Sequence, residues 1–147
     1  MSKNEVVSKI IEEQKTVIAN LENSVSRYRT ASDIDEHDSI DPEDFSHQEE
    51  AKDMQLRYEQ MAIQAKTNLD ILESYKNKNC AKLVAGALVE TEDLYLFIGI
   101  STPQFILNDK NVITISEQAP IYSLLKEKVV GEKITIGKIE NTILSIS

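Results

Sequence analysis

Residues 7–28 read VSKIIEEQKTVIANLENSVSRY, and their apolar positions recur at alternating steps of four and three. The series that these steps define is Val7, Ile11, Gln14, Ile18, Leu21, Val25 and Tyr28. Only Gln14 in this series is neither apolar nor aromatic. A mean spacing of about 3.5 residues places one stripe of side chains along a helix, as in the seam of a coiled coil. No Pro or Gly interrupts the stretch, so it predicts a helix at residues 4–31.

A second series of the same kind follows about twenty residues later. Its members are Ala51, Met54, Tyr58, Met61, Ala65, Asn68, Leu72 and Tyr75. It predicts a helix at residues 42–77, with Pro42 in the first turn, where proline is tolerated. A turn at residues 33–41 then joins the two helices as an antiparallel hairpin. We expect Ile18, Leu21, Met61 and Ala65 inside its seam, with Asn68 as a buried polar residue of the kind that sets register.

The sequence pattern changes after Asn79 to short runs rich in β-branched residues. These runs are residues 83–90, 94–101, 104–107, 112–116, 133–136 and 142–146, with turns at 92–93, 108–109 and 137. One helical pattern interrupts them at residues 117–128, where Pro120 precedes Ile121 and Leu124. The sequence thus predicts an α+β protein: a coiled-coil hairpin at residues 1–79, followed at residues 80–147 by a small antiparallel sheet with one short helix.

The net charge of −9 is concentrated in one segment of the 147-residue chain. No Lys or Arg occurs between Arg29 and Lys52, and nine acids lie there: Asp33, Asp35, Glu36, Asp38, Asp41, Glu43, Asp44, Glu49 and Glu50. The remaining 25 − 9 = 16 acids balance 16 bases. A charge run is usually a solvated loop. This one coincides with the predicted tip of the hairpin, at about residues 33–44, where a purely structural coiled coil has no evident need for it.

Several classes of protein are disfavoured by what the sequence lacks. No apolar run approaches the roughly 20 residues of a membrane-spanning helix, and residues 1–10 lack the apolar region of a signal peptide. Cys80 is the one cysteine, without a partner for a disulfide or zinc site. We therefore expect a cytoplasmic protein with no membrane partner. The absence of a basic, aromatic-laced patch also argues against independent binding of nucleic acid.

Clustered carboxylates are hard oxygen ligands, and Mg²⁺ binds through one or two of them together with substrate phosphates. A dedicated calcium loop is disfavoured, because Asp38 stands where such a loop needs glycine. The two histidines, His37 and His47, lack further partners for zinc, and we expect both to be exposed. Phe45 is expected to pack at the end of the hairpin. The acidic tip is thus suited to complete a metal site that belongs to another molecule.

This arrangement resembles the Gre family, the bacterial transcript cleavage factors with an N-terminal coiled coil and an FKBP-like C-terminal domain. One anchor is the acid-x-x-acid pair Asp41-Pro-Glu-Asp44, followed by Ala51-Lys52. The other is similar to the family's C-terminal signature and lies within residues 113–146: ITIS at 113–116, API at 119–121, LL at 124–125, VGE at 130–132 and ILSI at 143–146. The resemblance covers most of the chain and implies an FKBP-like β domain.

By this resemblance, the partner is RNA polymerase and the site of action is its secondary channel. Asp41 and Asp44, with Asp38 as a third candidate, would help to hold a Mg²⁺ shared with the polymerase and promote cleavage of backtracked RNA. The chain would not be an enzyme alone, would have no cofactor of its own, and would meet the nascent RNA 3′ end only within that complex.

The sequence also departs from the family pattern and leaves alternatives open. Phe45-Ser-His-Gln replaces the usual residues after the second tip acid, an extra residue separates Leu125 from Gly131, and the additional acids are similar to those of Gre-like inhibitors of the polymerase. Inhibition through the same channel is therefore one alternative. A coiled-coil scaffold with a small β domain is another. A prolyl isomerase is disfavoured because the C-terminal part has few aromatic residues for a substrate pocket.

Overall fold

The structure is a computed structural model that describes residues 2–33 and 42–147, and its fold is α+β. The elements are α1 (Lys3–Ser32), α2 (Pro42–Tyr75), β1 (Leu88–Thr91), β2 (Leu94–Ile98), β3 (Phe105–Leu107), β4 (Lys110–Ile115), α3 (Tyr122–Leu125), β5 (Lys133–Ile136) and β6 (Ile139–Ile146). Two compact units divide the chain. The helical unit is Gln14–Leu69, and the sheet unit is Met1–Glu13 with Asp70–Ser147.

In the helical unit, α1 and α2 pack side by side and run in opposite directions. Gln14 Nε2 donates to the carbonyl of Ala65 at 2.9 Å, near the start of the unit. Farther along α1, the rings of Tyr28 and Tyr58 stack with centroids 5.5 Å apart. Position therefore rises along α1 as it falls along α2, which confirms the predicted pairing of two long antiparallel helices.

The seam of α1 follows the predicted series. Ile18 and Val25 are 9% and 8% exposed, and Leu21 between them is half-buried. Gln14, the polar exception, is only 3% exposed, and its bond to Ala65 satisfies the side-chain amide. Asn68 is half-buried and accepts a bond from Gln64 on its own helix. The polar residue that ties the two helices together in the seam is thus Gln14, not Asn68.

The predicted seam position of Met61 is wrong. Met61 is 47% exposed, whereas Ala62 and Ala65 are each 6% exposed. A helix turns by about 100° per residue, so from Tyr58 position 62 lies about 40° away and position 61 about 60° away on the other side. Position 62 is therefore the nearer of the two to the direction of Tyr58, although buried Ala65 lies about 20° away on the Met61 side. The spacing of apolar residues favours the larger side chain of Met61, but the structure places Ala62 against α1.

This correction of the seam is tested by a pair of substitutions at adjacent positions. Ala62→Asp buries a carboxylate against α1 and should lower the free energy of unfolding by about 3 kcal/mol. Met61→Asp introduces the same group at an exposed position and should change it by no more than about 0.5 kcal/mol. Denaturant unfolding followed by circular dichroism at 222 nm (the standard helix signal) measures both. Equal losses of stability, or a larger loss for Met61→Asp, would support the predicted position of Met61 in the seam.

The sheet unit contains a six-stranded sheet in the order β3-β4-β2-β1-β6-β5. Four of its five neighbouring strand pairs are antiparallel. The fifth, β2 with β4, is parallel, with Leu94 opposite Asn111 and Ile98 opposite Ile115. The predicted all-antiparallel sheet is therefore wrong, and the sheet is mixed. The parallel pairing results from the way the β3–β4 hairpin joins the sheet. Asn108 and Asp109 both have positive φ, at 51° and 62°, and close a tight turn, and the hairpin joins β2 through its second strand instead of its first.

The predicted short helix is present but spans only Tyr122–Leu125 of residues 117–128. Each predicted strand run overlaps a strand: β1, β2 and β3 are shorter than predicted, whereas β4 and β6 start earlier and are longer. One face of the sheet and α3 enclose the core of this unit, whose buried members are Leu83, Val89, Leu94, Leu96, Ile98, Leu125, Ile134 and Ile143. Tyr122 on α3 donates its hydroxyl to the carbonyl of Leu83 at 2.9 Å, which fixes the helix over the sheet. Among the described helices, none has an apolar stretch long enough to cross a membrane.

Two glycines make room for Tyr75 at the end of α2. A Cβ on Gly86 would lie 3.0 Å from Tyr75 Cδ1, and a Cβ on Gly99 would lie 3.0 Å from Tyr75 Cε2. The ring lies 6.2 Å from that of Phe97, which is fully buried in β2. Both glycines also have positive φ, which side chains rarely adopt. A side chain at either glycine would thus press on the Tyr75 ring at the end of α2.

Gly131 offers a matched control for that contact. Its φ of 92° is close to the 95° of Gly86, but a Cβ there would meet nothing within 4 Å. Gly86→Ala and Gly131→Ala should both lose roughly 1 kcal/mol or more from backbone strain. Gly86→Ala should lose more, because its Cβ also displaces the Tyr75 ring. Thermal unfolding of both variants measures the difference, and equal losses would show that the ring contact is unimportant.

Candidate functional site at the start of the second long helix

Of the predicted site residues, Asp44 is within the described structure, and Asp38 and Asp41 lie outside the described residues. Asp44 is the third residue of α2, after Pro42 and Glu43. Proline suits the first helical position because its missing N–H leaves no bond unmade there. Acids in a first turn interact favourably with the free N–H groups and with the positive end of the helix dipole. The local sequence therefore explains why a helix starts here and why it tolerates adjacent acids.

A groove in the helical unit lies beside this turn. It has a volume of about 590 Å³ and is lined by Arg29, Ser32, Asp33, Phe45, Gln48, Glu49, Lys52 and Gln55. Arg29 and Ser32 come from the end of α1, Asp33 directly follows that helix, and the first four turns of α2 supply the others. Gln48 Nε2 donates to the carbonyl of Ser32 at 2.8 Å, which joins the two helices where α1 ends. Two acids of the charged segment, Asp33 and Glu49, thus line one groove.

A polar network along α2 supports the wall of the groove. Gln55 Nε2 donates to the Glu59 carboxylate at 3.0 Å, and Arg29 Nη2 lies 3.3 Å from the same carboxylate. The bond from Gln55, with a further contribution from Arg29, lowers the pKa of Glu59 below its ordinary value. Glu59 therefore stays ionised near neutral pH, and Arg29 keeps its partner. Both side chains are substantially exposed, so the ion pair orients Arg29 more than it stabilises the fold.

Phe45 is 53% exposed, so packing at the end of the hairpin covers less than half of it. This was not anticipated from the sequence, and neither was the groove that the ring lines. One signal was present: Phe45, Gln48, Glu49 and Lys52 recur at helical spacing on one side of α2. That spacing predicts a shared face, but the sequence pattern does not tell whether an adjacent segment covers it.

The described residues do not form a complete metal site. Within residues 2–33 and 42–147, no three His, Cys, Asp or Glu side chains are placed to hold a metal ion. His47 Nε2 lies 3.9 Å from Glu43 on the same helix, and Cys80 is a half-buried free thiol in the sheet unit. The predicted metal-assisting pair needs Asp41 beside Asp44 and further ligands from a partner.

Comparison of the chain with models of known protein families and with curated proteins finds no match for it. The resemblance stated above therefore rests on its own motifs, the acid pair Asp41 and Asp44 and the C-terminal signature. The described geometry adds the helix start at Pro42, the groove and the exposed Phe45. The function is argued from these residues.

The structural contribution of Asp44 can be measured separately from any function. Asp44→Asn removes one charge at the start of α2 but also removes repulsion from neighbouring acids. The two effects oppose one another, and each is about 0.3–1 kcal/mol. We expect the free energy of unfolding to change by less than about 1 kcal/mol, measured by denaturant titration at neutral pH. A loss of about 2 kcal/mol or more would mean that Asp44 is a structural residue.

Proposed function

We propose that this chain binds bacterial RNA polymerase, inserts its acidic tip into the secondary channel, and promotes cleavage of backtracked RNA by helping to hold a Mg²⁺ there. The observation that carries this proposal is the position of the acids. Asp44 lies in the first turn of a long helix that is paired with another, inside a segment with nine acids and no base. The Gre resemblance supplies the partner and the reaction.

The chemistry favours carboxylates at this position. In two-metal hydrolysis, one ion positions and activates the attacking water while the other stabilises the leaving oxygen. A metal that the polymerase holds weakly needs additional oxygen ligands, and two acids three residues apart near a helix start can approach one ion. Asp41 and Asp44 are proposed for that role, with Asp38 as a third candidate. The protein would donate ligands to a catalytic centre that it does not itself contain.

The charge distribution also fits a factor that acts only within a complex. An acidic segment repels the phosphates of free DNA and RNA, so the chain would not be captured by bulk nucleic acid. Attachment to the polymerase would then depend on protein surfaces. The sheet unit, which carries the C-terminal signature, is proposed to supply much of that attachment.

The paired helices supply the rigidity that this role requires. The seam residues Gln14, Ile18 and Val25 are buried, and the Tyr28–Tyr58 stack continues the packing toward the acidic segment. A carboxylate must be held within a fraction of an ångström of its productive place to assist a reaction. A packed helix pair is better suited to that than a flexible acidic loop.

The decisive experiment is a transcript cleavage assay on stalled, backtracked elongation complexes. Asp41→Ala with Asp44→Ala should abolish stimulation of cleavage, by on the order of 100-fold or more, because a lost metal ligand raises the barrier by several kcal/mol. Binding to the polymerase should be nearly unchanged. Glu49→Ala with Glu50→Ala is the matched control: it removes the same charge from the same acidic segment and should keep most of the stimulation.

The same assay separates the alternatives. If the wild-type protein suppresses both cleavage and nucleotide addition, and the Asp41/Asp44 variant relieves that block, the chain is an inhibitor that acts through the same channel. The additional acids favour this as the second candidate. If the double variant behaves as wild type throughout, the acidic segment is a solvated turn. The scaffold alternative would then stand.

A further inference from the structure

Phe45 is an exposed aromatic residue in the most acidic part of the chain. It is 53% exposed, whereas the two tyrosines of the helical unit, Tyr28 and Tyr58, cover one another in a stack with an interplanar angle of 11°. Among the described residues, no ring lies against that of Phe45. Just over half of the Phe45 side chain is thus accessible at the start of α2.

The position of this ring connects it with the proposed chemistry. Phe45 follows Asp44 directly in the first turn of α2 and lines the groove of about 590 Å³. Sites for small ligands commonly have volumes of about 300–1,000 Å³, so the groove is large enough for a nucleobase. Arg29 and Gln55 also line this groove, and both contact the carboxylate of Glu59.

Electrostatics limits what can hold an RNA end at this place. The nine acids repel the phosphates of RNA, and this repulsion opposes the close approach that the reaction requires. An attraction that does not depend on charge is needed to offset it. Stacking of a base on an aromatic ring is such an attraction: it tolerates any base and changes affinity on the order of 10-fold per base.

We propose that Phe45 is a substrate-contacting residue whose ring stacks on the unpaired base at the 3′ end of the backtracked RNA. The contact holds the adjoining phosphodiester near the carboxylate of Asp44, which directly precedes Phe45 in α2. This inference rests on the proposed function and deepens it. Phe45 stands at a position where the Gre pattern has other residues. We assign its ring to recognition of the RNA, with no requirement for a particular base.

The test combines a substitution in the full-length protein with a change in the RNA. Phe45→Leu keeps an apolar side chain of similar size but has no aromatic face, whereas Phe45→Trp keeps a face. Cleavage rates are measured on backtracked complexes whose RNA ends in a normal nucleotide or in an abasic one. On normal RNA, Phe45→Leu should cleave on the order of 10-fold more slowly than wild type, and Phe45→Trp should keep most of the rate.

The abasic RNA identifies the contact. The wild-type protein should cleave abasic RNA more slowly than normal RNA by about the same factor. The cleavage rate of Phe45→Leu should be the same on both RNAs, because the base and the ring form one interaction. Leu56→Ala changes another exposed apolar residue of α2, 51% exposed, and should leave both rates at their wild-type values. Thermal unfolding should be unchanged in Phe45→Leu, because the ring is largely outside the packed seam.

Two results would overturn the inference while leaving the proposed function in place. One is a wild-type rate for Phe45→Leu, and the other is a full further loss for that variant on abasic RNA, which would show that ring and base act independently. If wild-type protein gives no stimulation on normal RNA, the proposed function and this inference fail together. The response of the wild-type protein therefore distinguishes the two failures.

Discussion

The packing of small side chains between α1 and α2 determines how the helical unit presents its acids. Ala62 and Ala65 face α1, and their short side chains let the backbone of α2 come close enough for Gln14 to reach the carbonyl of Ala65. A buried amide must find a partner or lose the free energy of its desolvation. The bond therefore favours one register. With the register fixed, the end of α1 and the start of α2 lie beside the same groove, where Gln48 reaches the carbonyl of Ser32.

The sequence predicted the long helices well because apolar spacing, the position of Pro42 and the absence of glycine all agree. It was less reliable about which apolar residue faces the partner. Met61 and Ala62 are adjacent, and hydrophobicity alone selects Met61, although the phase of the helix selects Ala62. The sheet shows the same limit. Short β-rich runs were found, but pairing depends on how the β3–β4 hairpin docks, and the parallel contact of β2 with β4 has no local signal.

For the candidate site, the acidic residues could be identified from the sequence, whereas the groove beside them required the structure. The acids between Arg29 and Lys52 can be counted from the sequence, and the placement of Asp44 in a first turn follows from Pro42. The groove depends on side chains from two helices and on the register between them. Phe45 illustrates the difference. An aromatic residue after a charged run is usually expected to be buried, and its exposure emerges only when the seam is known to lie on another side of α2.

The concentration of nine acids between Arg29 and Lys52 limits which ligands this segment can bind alone. Clustered carboxylates attract cations, but without a third ligand or a phosphate they hold Mg²⁺ weakly. The described residues provide no such third ligand. The acids that are proposed to assist a metal in a polymerase are therefore poorly suited to act alone, and in that proposal they would also repel the phosphates of the RNA. A contact that does not depend on charge would offset this repulsion, and the proposed stacking of a base on Phe45, which is 53% exposed beside Asp44, is such a contact.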